Sequence, residues 1–122
     1  MQTYTTTSSR VLRSTNIVGE SVKNMAGESL GEIKDLVMDI DRGRVAYAVL
    51  SFGGFLGMGN KLFAIPWHAL EPSRSDRTFV LNVPKERLEK APGFDKDNWP
   101  DMADTRWGTT IHAYYGQSPY WE

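Results

Sequence analysis

The chain of 122 residues contains no cysteine. That excludes a disulfide scaffold, thiolate chemistry and cysteine-ligated zinc. Histidine is nearly absent too, with His68 and His112 far apart and no His-Glu-x-x-His or other ligand spacing. A metal centre is therefore not expected. No charge of one sign dominates: 14 Lys and Arg stand against 15 Asp and Glu, a net charge of −1. Bulk electrostatic binding to nucleic acid or anionic lipid is disfavoured. The longest uninterrupted apolar run is Val45 to Leu50, far short of the ~20 residues a spanning helix needs. Met1 to Ser9 is rich in Thr and Ser with no apolar stretch, unlike a secretory signal. These absences predict a cytoplasmic protein without membrane insertion.

What is present falls into three zones. Residues 1–15 are polar and carry Arg10 and Arg13, as in a flexible N-terminal segment. Residues 16–93 hold ten basic and ten acidic residues and nearly all the β-type patterning. Residues 94–122 carry two basic and five acidic residues. This last zone holds seven of the fourteen aromatics: Phe94, Trp99, Trp107, Tyr114, Tyr115, Tyr120 and Trp121. Disordered tails are poor in such rings. The zone is therefore expected to dock them on apolar surface as an irregular aromatic extension, either on its own barrel or on a neighbouring chain.

Turn chemistry punctuates the middle zone. Asn16–Val22 reads as a strand, Asn24-Met25-Ala26-Gly27 as a turn, and Gly31–Ile40 as a strand. Asp41-Arg42-Gly43 then turns the chain into a strand over Arg44–Phe52, giving a hairpin. After a glycine-rich loop, Lys61–Ile65 reads as a short strand closed by Pro66, and Thr78–Val83 as another. Pro84 suits the start of a short helix over Lys85–Ala91, ended by Pro92-Gly93. Several short strands at close spacing predict an all-β fold, a small barrel or sandwich.

The strand Val45-Ala46-Tyr47-Ala48-Val49-Leu50 is apolar on both faces. Val45, Tyr47 and Val49 point one way; Ala46, Ala48, Leu50 and Phe52 point the other. One face can line the interior, but the other needs a cover, since each exposed Val or Leu forgoes ~1.5–3 kcal/mol of burial. That cover is the chain's own tail or another subunit.

No chemistry-bearing motif closes. Gly53 to Lys61 lacks the Gly-Lys-Ser/Thr of a phosphate loop, because Asn60 precedes Lys61 and Leu62 follows it. Its Phe55, Leu56 and Met58 are instead expected to plug the barrel end or meet a partner. Asp39 to Gly43 resembles the start of a calcium loop, but Gly43 takes a ligand place and Leu50 stands at the twelfth position. Asp35 reads as a hydrogen-bond acceptor for a turn rather than a general base. No Gly-x-Ser-x-Gly elbow marks a nucleophile.

The order of motifs in the middle zone resembles a known family. These are Asn16-Ile17-Val18-Gly19, Leu30 to Leu36, Asp41 to Ser51, Gly53 to Gly57 and Ala64-Ile65-Pro66-Trp67. They look like a PRC-barrel domain, similar to the cytoplasmic barrel of the photosynthetic reaction centre H subunit and to the C-terminal domain of a ribosome maturation factor. The resemblance implies a small, strongly bent antiparallel β-barrel in a stand-alone bacterial form. It implies assembly and protein contact rather than catalysis, with no cofactor.

The expected function is thus a non-enzymatic, self-associating interaction module, with a dimer favoured and an unidentified protein partner as the other option. A role in ribosome maturation or RNA metabolism is one alternative. Assembly of a photosynthetic or membrane complex is the other. The expected contact surface comprises Ala46, Ala48, Leu50, Phe52, Phe55, Leu56, Met58, Trp67, Trp99, Trp107, Tyr114, Tyr115, Tyr120 and Trp121. No catalytic, cofactor or metal residues are expected.

Overall fold

The computed structural model describes residues 11–53, 60–73 and 75–122. Phe55, Leu56 and Met58 lie outside them. Among the described residues, six strands form one sheet: β1 (Ser21–Lys23), β2 (Ser29–Asp39), β3 (Arg44–Gly53), β4 (Asn60–Pro66), β5 (Leu70–Pro72) and β6 (Phe79–Leu81). Their order is β4-β3-β2-β1-β6-β5, so β4 and β5 are the two edges. Two helices follow, α1 (Lys85–Glu89) and α2 (Thr105–Tyr114).

The expected β2–β3 hairpin is present. Asp39 organises its turn by accepting the Arg42 N–H at 3.0 Å, and the Arg42 guanidinium returns to the same carboxylate at 3.2 Å. The sheet is strongly curled, and β2 shows where it bends. Its register against β3 shifts between Ile33 and Asp35 and again between Val37 and Met38. Extra residues of this kind kink a strand and increase its twist. A third bend needs a glycine. Gly31 sits at φ 96°, and a Cβ there would lie 2.0 Å from the backbone oxygen of Ser51. Only the missing side chain lets β2 cross β3 so closely.

Four expectations change. Asn16–Val22 is not a strand. Ser14–Asn16 forms a 3-10 turn, and only Ser21–Lys23 pairs, because Gly19 and Glu20 instead meet Ile33 through N–H···O bonds around the bend. The sheet is not wholly antiparallel, since β1 runs parallel to β6. Leu70–Pro72 adds a strand the pattern did not show, too short to display alternation. Finally, the C-terminal zone is not irregular. It opens with a bridge between Phe94 and Leu62 on the β4 edge, then carries the ten-residue α2.

Both faces of β3 leave water. Register with β4 sets Leu50 opposite Phe63 and Ala48 opposite Ile65, on the face shared with Ile33 and closed over by β1, β6 and α1. Tyr47 and Val49 lie on the other face, opposite Pro66 and Ala64. Tyr47 to Leu50 are all buried.

Gly31→Ala is expected to destabilise the fold by ~3 kcal/mol or more, since it adds backbone overlap to a disfavoured φ. Urea denaturation checks this. A loss below ~1 kcal/mol would show that the β2–β3 crossing relaxes freely.

Candidate interaction surface

The C-terminal segment is the cover for the outer face of β3. Asp104 caps α2, its carboxylate accepting the Arg106 N–H at 2.9 Å, which holds that carboxyl below its usual range. Trp107, Ile111 and Tyr115 recur at helical spacing, with Gly108 and His112 beside them. This stripe lies on Tyr47. The Trp107 ring meets Tyr47 edge-on at 5.2 Å, His112 at 5.5 Å and Tyr120 at 6.0 Å. Gly108 is required by contact rather than by conformation. A Cβ there would stand 2.8 Å from the Tyr47 hydroxyl and 2.7 Å from the Trp121 ring.

Polar latches hold the segment at two points. At one, Tyr120 donates its hydroxyl to Asp39 at 2.6 Å, and Arg44 stacks over the Tyr120 ring and donates to its carbonyl at 3.3 Å. Arg44 also meets His68. The Tyr120 bond, aided by the Arg42 N–H, holds the Asp39 carboxyl below its ordinary value. Burial, and then that same bond, push the Tyr120 phenol up to about 12. At the other point, Arg87 of α1 stacks on Tyr114 at 4.2 Å and donates to its carbonyl at 2.7 Å. Tyr114 returns its hydroxyl to the Arg87 carbonyl at 2.6 Å.

Among the described residues, three buried side-chain atoms lack a partner: Tyr47 Oη, His112 Nε2 and Tyr115 Oη. All belong to the seam between barrel and segment. His112 Nδ1 lies 2.7 Å from the Gly108 carbonyl, which can only accept, so Nδ1 is the donor of that bond. Burial raises both phenols well above their usual range.

This geometry revises the expected surface. Ala48, Leu50 and Tyr115 are buried within the chain, and Ala46, also buried, lines a groove at the end of the β2–β3 hairpin. Trp107, Tyr114, Tyr120 and Trp121 are half-buried, with their rings turned toward the barrel or toward each other. Phe52 is half-buried against Phe63, and Trp67 against Phe79. Trp99 is exposed, but it packs on Phe94 and donates its indole N–H to the Lys96 carbonyl.

The apolar surface left open lies elsewhere. Met38 is 49% exposed and Ile40 83%, at the far end of the β2–β3 hairpin. They flank a groove of about 410 Å³ between the hairpin and residues 102–105, with Ala46, Met102 and Trp121 along it. Among the described residues, Asp39, Asp41, Asp104 and Arg42 line it; Asp39 pairs with Arg42 at 3.2 Å and Asp104 with Arg106 at 3.6 Å. Neither residue is in the surface expected from the sequence. A further apolar residue, Met25, is 75% exposed at the turn before β2, whose composition signalled only a turn. No cluster of three or more His, Asp or Glu among the described residues could hold a metal ion.

A PRC-barrel domain family model matches residues 10–88. The chain belongs to the PRC-barrel domain family. No curated protein matches the chain. The matched stretch of this PRC-barrel chain runs into α1, so the covering segment 94–122 lies beyond it.

Two measurements test the seam and its latch. Tyr47→Phe removes a buried hydroxyl that has no partner, so stability should hold or rise by up to ~1 kcal/mol. A loss greater than that by chemical denaturation would mean the hydroxyl is bonded. The Asp39 latch has a folded pKa below its unfolded one, so its contribution is complete above about pH 4 and fades as pH falls through the lowered value. The difference in melting temperature between wild type and Tyr120→Phe should therefore shrink from neutral pH to about pH 2. A constant difference would detach Asp39 from the latch.

Proposed function

We propose that this PRC-barrel chain is a non-enzymatic protein-interaction module that self-associates, using the end of the β2–β3 hairpin and the groove beside it. The observation that carries this reading is the exposure of Met38 and Ile40. A rigid hairpin holds two large apolar side chains in water beside a concavity. That is costly for a monomer and useful for a contact. Methionines on both sides of the groove, Met38 and Met102, suit adaptable packing against a partner.

Family membership supports the same reading, since PRC-barrels are an interaction type of domain. The perturbed titrating groups support it as well. They are a hairpin-turn and latch carboxylate, Asp39, a loop carboxylate, Asp76, a helix cap, Asp104, and tyrosines at the seam. Each is accounted for by local structure rather than by a convergent reactive centre. The near-neutral charge of the chain, −1 overall, gives no basic surface for phosphate and speaks against the RNA reading. No helix among the described residues is long and apolar enough to cross a membrane.

Light scattering across micromolar concentrations is the direct test. The wild-type mass should exceed that of one chain and rise with concentration. Ile40→Glu alters an exposed side chain and should return the mass to that of a monomer without changing the melting temperature by more than ~2 °C. A wild-type protein that stays monomeric throughout would overturn the self-association.

A further inference from the structure

β2 is longer than the strand beside it. It runs from Ser29 to Asp39 and pairs with β3 along its length from Glu32 onward. On its other side β1 reaches only the first half. Ser21 and Lys23 lie opposite Glu32 and Ser29, and the last backbone bonds on that side join Ile33 to Gly19 and Glu20. Past Ile33, no backbone hydrogen bond among the described residues joins β2 to anything but β3. Lys34 to Asp39 is therefore an open edge within a strand that is internal by sheet order. Its centre, Leu36-Val37-Met38, is apolar. An unpaired stretch of that kind is a template for a strand from another chain.

Asp35 stands on this edge. It is exposed, and its carboxylate accepts the N–H of the next residue, Leu36, at 2.8 Å. A strand N–H held by its own neighbour's side chain is not offered to an incoming strand. The register shift between Ile33 and Asp35 puts this bond where the ladder is already interrupted. Charges also bracket the apolar run, Lys34 and Asp35 before it and Asp39 and Asp41 after it, the pattern that guards strands against pairing with other chains. We infer that Asp35 is an edge guard: by holding the Leu36 N–H it keeps the open half of β2 from adding the same strand of a second copy. The inference concerns backbone pairing and is separate from the side-chain contact proposed for the hairpin end. With the carboxylate gone, two β2 edges can meet antiparallel about a two-fold axis, each offering the other the donor that Asp35 occupies.

Two variants test this. Asp35→Ala removes the acceptor, whereas Asp35→Asn removes the charge and keeps an acceptor in place. Thioflavin T fluorescence and the infrared band of intermolecular sheet report strand addition below the melting transition. Amide hydrogen exchange, measured before assembly, reports folding. Wild type and Asp35→Asn should lack the intermolecular band. Asp35→Ala should gain it with a several-fold rise in thioflavin T signal. Its Leu36 amide should exchange faster while core amides such as Leu50 and Ile65 keep wild-type protection. Asp35→Ala as free of sheet assembly as wild type would overturn the inference, and so would Asp35→Asn assembling as fast as Asp35→Ala. Faster exchange at Leu50 and Ile65 would overturn it too, since assembly would then follow unfolding and not an opened edge.

Discussion

A β-strand that is apolar on both faces has to be buried twice, and most of this molecule is arranged around doing so for β3. Its inner face carries Ala48 and Leu50 and packs with Phe63, Ile65 and Ile33 where the sheet curls on itself. Its outer face carries Tyr47, a side chain too large to be covered by a loop alone. The ring is enclosed by Trp107, His112 and Tyr120, all from the segment beyond the family match. Remove either cover and ~1.5–3 kcal/mol per large side chain is returned to water. The curl and the C-terminal segment are therefore two answers to one requirement.

The second cover is bonded differently from the first. Inside the sheet, backbone ladders satisfy polar groups as a matter of course. At the seam, specificity comes from side chains: the Tyr120–Asp39 bond, the Arg44 stack and the reciprocal Arg87–Tyr114 pair. The same seam leaves Tyr47 Oη, His112 Nε2 and Tyr115 Oη without partners. An unmade buried hydrogen bond costs ~1–3 kcal/mol. The aromatic contact area must outweigh that cost, which explains why the segment needs so many rings to hold one helix.

Much of this was legible beforehand, for reasons that differ by element. The β2–β3 hairpin showed itself because Asp41-Arg42-Gly43 is turn chemistry between two apolar runs. The need for a cover over β3 followed from its lack of alternation. Which face would be the outer one did not follow, because alternation alone carries no inside or outside. The Ala46, Ala48 and Leu50 row proved to be interior. Helix α2 was hidden by poor intrinsic helix formers, Gly108, Thr109 and Thr110. Yet Trp107, Ile111 and Tyr115 at four-residue spacing were a usable signal. The parallel β1–β6 pair depends on contacts between residues more than fifty positions apart, which no local pattern encodes, and β5, though it pairs with the nearby β6, has only three residues in which to show alternation.

Satisfying β3 internally changes what self-association has to explain. The argument from an uncovered sheet face no longer demands a partner, since the chain supplies its own cover. What remains is narrower. Met38 and Ile40 stay exposed at one end of β2 and Met25 at the other, each held there by a turn whose geometry is fixed by a side chain, Asp39 in one case and Asn24 in the other. A flexible loop could fold an apolar tip back onto the surface, whereas these turns prevent it. The exposure of those side chains, together with the groove beside the hairpin, is what supports the self-association proposed above.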